Sequence, residues 1–174
     1  DEAKLSYDLW KLQYENARDG LPFMVDGYAF DQMNGAQGFW PTFLISFHKV
    51  AEESDYTAYI ARLNATSRAF DQLLERARAS AGQGIRPPKF AYEGVIDQAK
   101  KVVTGATFSA GKDAAIWADA QAKADALVKA GKIDAARATA LKDEARKAML
   151  EQFKPAYDRV IAWSEEELPK AAVN

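Results

Sequence analysis

The side chains best suited to acid–base and nucleophilic chemistry at neutral pH, histidine and cysteine, are nearly absent. His48 is the single histidine and there is no cysteine in the 174 residues. A neutral imidazole is the usual general base near neutral pH, and Glu52 lies one helical turn on, close enough to orient it if that segment is helical. Ser46 and Ser54 are nearby in sequence, yet no spacing completes a nucleophile–base–acid relay. A lone histidine beside Phe47 more simply closes a core or caps a helix end, and that is the preferred reading. With one histidine, no cysteine and no Glu-x-x-His, a two-histidine zinc site cannot form within one copy. No catalytic residue and no metal ligand is therefore assigned to this chain.

Other motifs fail on spacing. Five residues separate Gly105 from Gly111, and Asp113 stands where a phosphate-binding loop needs a hydroxyl after its lysine. Asp26-Gly27 and Asp31 to Gly35 lack the alternating acids and closing glutamate of a calcium loop, so they read as turns made through Asp and Asn side chains. Asn64-Ala65-Thr66 matches a glycosylation sequon but falls inside a helical stripe. Glu165, Glu166 and Glu167 are adjacent and so point in different directions on a helix, which reads as a solvated helix end. Phe39, Trp40, Phe43 and Phe47 read first as core, since aromatics dominate cores of this size.

The elements that must hold these residues are helical. Leu5, Leu9, Leu12 and Trp10 recur at helical spacing in Glu2 to Asp19, with Gly20 and Pro22 as a stop. Residues 20–41 mix glycines with Phe23, Met24, Tyr28, Phe30 and Met33, the composition of a long ordered loop, and such loops are disproportionately functional. A stripe from Tyr56 to Ala77, capped by Ser54, runs to Gly82. Pro87-Pro88 opens another helix to Val103, an exposed loop follows over 104–112, and Asp113 to Ala130 is an alanine-rich helix ended by Gly131. Asp134 caps a last long helix that Pro155 should kink. The chain reads as one all-α domain over 1–174, an irregular bundle of about five to six helices.

Hydrophobic residues make up 48% and charged residues 28%, with net charge −2, so there is neither the bias of a disordered chain nor a basic patch for nucleic acid. No apolar run reaches the roughly 20 residues that span a bilayer. The start Asp1-Glu2-Ala3-Lys4 is neither an initiator methionine nor a signal peptide, and it predicts a piece of a larger protein.

Several stretches in order resemble the bacterial domain-of-unknown-function family 885. They are Leu5-Ser6-Tyr7-Asp8-Leu9, Phe47-His48-Lys49-Val50, Asp55-Tyr56, Tyr59-Ile60-Ala61-Arg62-Leu63, Gly84-Ile85-Arg86-Pro87-Pro88-Lys89, Val95-Ile96-Asp97-Gln98, Pro155-Ala156-Tyr157 and Glu167-Leu168-Pro169-Lys170-Ala171. The Gly-Ile-Arg-Pro-Pro segment is the most specific. The resemblance covers nearly the whole chain and implies the N-terminal half of a longer, mostly helical, periplasmic or exported protein. The later half of such proteins carries a gluzincin-like His-Glu-x-x-His element, so zinc is implied for the full-length parent and none for this chain.

On that resemblance this chain is a noncatalytic wall or lid beside a catalytic half, helping to form the cleft of a zinc-peptidase-like hydrolase. Tyr28, Asn34, Gln37, Phe39, Trp40 and His48 are the candidate cleft residues, amides for a peptide backbone and aromatics for its side chains. The expected partners are the missing C-terminal half or a second copy, and a peptide substrate. The alternative is a stand-alone helical interaction or assembly module. A third reading, an independent hydrolase using His48, is the weakest.

Overall fold

The long apolar stripe becomes the central helix. In the computed structural model, which describes residues 1–172, α3 spans Glu53–Gly82 and buries Tyr56, Tyr59, Leu63, Thr66, Phe70 and Leu74 along one face, the three- and four-residue spacing of a core-facing helix. Its cap is Glu52, not Ser54. The Asp55 carboxylate accepts from the backbone N–H of Ala51 (2.9 Å) and Glu52 (3.0 Å), completing a capping box that satisfies donors at both ends of the first turn.

Around α3 lie α4 (Lys89–Val102), α5 (Ala115–Lys129) and α6 (Ala135–Ala148). A π-turn over Met149–Phe153 joins α6 to α7 (Lys154–Glu167) without a break. Alanines at 120, 124, 138 and 145 are almost fully buried and let α5 and α6 approach closely. Asp134 caps α6 by accepting from Arg137 N–H at 2.7 Å, and Gly131 leaves α5 at φ +66°, the left-handed geometry of a helix C-terminus. Pro155 is accommodated by the π-turn just before it. The ring removes a donor and crowds the carbonyl four residues back, and the wider turn relieves both without ending the helix.

α1 spans Glu2–Gly20, and α2 (Ala36–Thr42) continues as a π-turn over Phe43–Phe47. Among the described residues there is no strand, and counting α6, its π-turn and α7 as one rod gives six helices. α1 ends at Gly20, where Gly20 and Pro22 predict its stop. The chain tightens into a 3-10 turn, Leu21–Asp26, with Pro22 near its start, where its missing N–H costs nothing. α1 buries none of its residues, and Leu5, Tyr7, Leu9, Trp10, Leu12 and Tyr14 all face solvent.

The core centres on stacked and edge-on rings. Phe70 meets Tyr157 at 5.0 Å between centroids and Phe30 at 5.9 Å, and Tyr157 meets Phe153 at 4.7 Å. Phe108, at the tip of the 104–112 loop, stacks on Phe153 at 6.0 Å. That loop is therefore pinned to the core by its one aromatic rather than wholly exposed.

Candidate functional site

The glycine-rich segment is held by its own polar groups. The Asp31 carboxylate accepts from the N–H of Met33 and Asn34, both at 2.7 Å, an Asx turn. Gly35 is required there, since a Cβ would collide with the Asp31 backbone and with Gln37 Oε1. Gln37, fully buried, donates through Nε2 to Asp31 O (2.6 Å) and Gln98 Oε1 (2.8 Å), and Gln98 in turn donates to Gln32 O at 2.7 Å. The Tyr157 hydroxyl donates to Gln37 O at 2.8 Å. Gly94 lets α4 approach, because a Cβ there would sit 2.6 Å from Gln32 Cβ. Through these contacts the segment is fastened to α4 and α7.

Trp40 and His48 belong to the same scaffold. Trp40 Nε1 donates to Thr66 Oγ1 at 2.9 Å, and its ring lies edge-on to Phe70 at 6.2 Å. His48 is 5% exposed and meets Tyr59 edge-on at 5.4 Å. Its Nε2 bonds Asp55 O at 2.9 Å and its Nδ1 meets an Arg62 guanidinium N–H. A carbonyl can only accept and a guanidinium can only donate, so the ring is neutral with its proton on Nε2. Burial lowers its pKa despite the Asp55 carbonyl, and the Arg62 and Lys123 charges lower it further. Glu52 is engaged elsewhere, 2.7 Å from Lys132 Nζ. Both imidazole nitrogens are occupied, and no lone pair is presented to a substrate.

The remaining three candidates reach the surface. Asn34 and Phe39 line an open depression of about 370 Å³ together with Met33, Gly38, Thr42 and Gln98. Phe39 is 58% exposed and stacks on Phe43 at 6.1 Å, and the Arg62 guanidinium lies 5.5 Å above the Phe43 ring. Phe47, at the end of the π-turn, is also exposed, so the aromatic cluster is half core and half surface. Tyr28 lies apart from them, donating to Arg86 O at 3.3 Å beside Pro87 and Trp163.

Sequence reasoning did not single out Thr42 or Gln98 for this depression. Gln98 arrives from α4, 61 residues from its partner Gln37, and no local pattern announces that meeting.

The acidic run at 165–167 is only partly solvated. Glu167 is buried, paired with Arg86 Nε and Lys170 Nζ, both at 2.8 Å. Those partners, by hydrogen bond and by charge, hold its carboxyl below the usual range although desolvation opposes them. Arg86 belongs to the Gly-Ile-Arg-Pro-Pro segment, so that stretch clasps the end of α7. Among the described residues no three His, Cys, Asp or Glu side chains gather as metal ligands, and no helix is long and apolar enough to cross a membrane.

No curated protein matches the chain. Among solved structures it is similar to the crystal structure of "the putative lipoprotein from Colwellia psychrerythraea", with a TM-score of 0.75 and 21% identity over 83% of this chain, a likeness of fold. The chain spans only 23% of that protein's length. A family model described as "Bacterial protein of unknown function (DUF885)" matches residues 1–174, and the chain belongs to that family.

Proposed function

We propose that this chain is a noncatalytic helical domain that forms one wall of the substrate cleft in a larger, exported, zinc-peptidase-like hydrolase. The observation that carries the reading is the depression beneath Asn34 and Phe39. It joins an exposed aromatic, Phe39, and an exposed amide, Asn34, on a segment that the Gln37–Gln98 bonds hold in place, the mixture that receives a peptide's side chains and backbone. Gln37, Trp40 and His48 are its support. The zinc chemistry is assigned outside this chain, since one histidine and no cysteine cannot build a two-histidine or thiolate site. Export is supported by the similar fold of a protein described as a lipoprotein.

The test is kinetic, in a full-length polypeptide carrying this domain. Asn34→Ala and Phe39→Ala should each lower kcat/KM for peptide hydrolysis by about tenfold, chiefly through KM. Melting should not change, because both side chains face solvent. Unchanged kinetics in both variants would discard the cleft assignment. The other reading, an interaction module, is favoured by one observation, the uncovered face of α1.

A further inference from the structure

Gly38 lines the depression without being required by the fold. Gly35 and Gly94 have no room for a side chain, because a Cβ would fall 2.2 Å and 2.6 Å from a neighbouring atom. Outside its own helix, a Cβ on Gly38 would meet Gln98 Oε1 alone, at 3.7 Å, an ordinary contact. The φ of Gly38 lies outside the left-handed region, and the residue sits within α2, where alanine is the better helix former. Neither backbone conformation nor packing asks for glycine here. The missing side chain serves the space in front of it, as where a ligand must come close to the backbone.

The atom across that space is an acceptor of fixed orientation. Gln98 Nε2 donates to Gln32 O at 2.7 Å, and a backbone carbonyl can only accept, so the nitrogen of this amide must point that way. Gln37 is fixed in the same manner, since its Nε2 donates to Asp31 O at 2.6 Å. Gln98 Oε1 is thereby left to accept from Gln37 Nε2 at 2.8 Å, which occupies one of its two lone pairs. No second donor among the described residues reaches it. The hydroxyl of Thr42 does not, because it donates back to Gly38 O at 2.9 Å. The lining side chains, Met33, Asn34, Phe39, Thr42 and Gln98, are all uncharged. A carboxylate or an ammonium would lose hydration there with no opposite charge in the lining to offset it, whereas a neutral amide finds an acceptor.

We propose that Gly38 and Gln98 are the recognition pair of this depression, and that the bare Cα of Gly38 admits a backbone N–H of an extended peptide to Gln98 Oε1. The inference rests on the cleft reading above and names the group which that cleft recognises. A donor nitrogen must come within about 3 Å of the oxygen. A methyl at position 38, 3.7 Å from the same oxygen, would stand in its approach. Phe39 and Asn34, on the same depression, are left to the peptide's side chains and carbonyls.

NMR titration of this chain, isotope-labelled on nitrogen, with the blocked peptide acetyl-Ala-Phe-Ala-amide tests the inference. Signals of Asn34, Gly38, Phe39 and the Gln98 side-chain amide should shift together. Gly38→Ala should weaken binding about tenfold, the loss of one hydrogen bond, while its melting temperature rises by about 2 °C through the better helix former. Opposite signs for binding and stability are what a packing role for the glycine does not produce. Replacing each backbone N–H of the peptide in turn by an ester oxygen should give one analogue that wild type binds about tenfold more weakly. Gly38→Ala should bind that analogue no worse than the parent peptide. A Gly38→Ala chain that binds like wild type, or melts lower, overturns the inference. So does a set of ester analogues that all bind like the parent. The cleft reading survives those results where the Asn34 and Phe39 signals still shift, and absence of any shift at these two overturns both.

Discussion

Two rows of aromatic rings run through this molecule in opposite circumstances. Phe30, Phe70, Tyr157 and Phe153 interlock at centroid distances of 4.7–5.9 Å and are at most 2% exposed. Tyr7, Trp10 and Tyr14 are spaced almost as closely on α1 and are 56–61% exposed. Ring contact alone does not distinguish the rows. What differs is the opposite side. The first row has α3, α4 and α7 around it, and the second has solvent. Periodicity tells which face of a helix is apolar, and it is silent on what covers that face.

The comparison can be broken most sharply by truncation. Phe70→Ala should cost about 3–5 kcal/mol by transfer and cavity formation, against about 0.5 kcal/mol or less for Trp10→Ala in the monomer. Chemical denaturation under dilute conditions measures both, and equal losses would show that α1 is covered after all. Next in size, Arg86→Ala should cost about 3 kcal/mol, because it leaves the Glu167 carboxylate buried with only Lys170 beside it. Near-neutral stability in Arg86→Ala would mean that the Arg86–Glu167 clasp is dispensable.

The smallest effect sharpens the boundary between covered and uncovered rings, where His48 sits with Tyr59 inside and Phe47 outside. Its folded pKa lies below the ordinary value, so the unfolded chain takes up the proton first. Stability should therefore fall as pH drops below about 6.5 and level off beneath the folded pKa. Stability curves of wild type and His48→Ala across pH 5–8 check this (the range around the ordinary imidazole value). A wild-type slope that persists in His48→Ala would assign it to other groups.

Much of the bundle was legible because its signals are local. Asp134, Gly131 and Pro88 mark ends by chemistry that acts within one turn, and the Tyr56-to-Ala77 stripe repeats long enough to fix a helix. Ser54 misled because Ser and Asp both cap, and the choice fell to the reciprocal bonds that Glu52 and Asp55 can make. The glycine-rich segment was visible as ordered and distinctive. Which of its side chains face outward was not, because Gln37 turns inward for Gln98 and Trp40 for Thr66, partners 61 and 26 residues away. Amide and aromatic residues serve equally well as fasteners and as contacts, and only the distant partner decides.

The π-turn at Met149–Phe153 also works as a spacer in the numbering. Buried positions before it follow Ala138 and Ala145, a seven-residue step that would next fall on 152. After it they follow Phe153, Val160 and Glu167, the same step displaced by one. In a continuous α-helix that extra residue would rotate everything after it by about 100°; the π-turn absorbs it, so that both halves keep an apolar side on the core while Pro155 is accommodated between them. A one-residue deletion inside the turn would bring the two steps into one register and leave Glu167 facing Arg86, but would take from Pro155 the wider turn that relieves it. Family members that lack a proline here should be the ones that also lack the extra residue and keep an unbroken heptad.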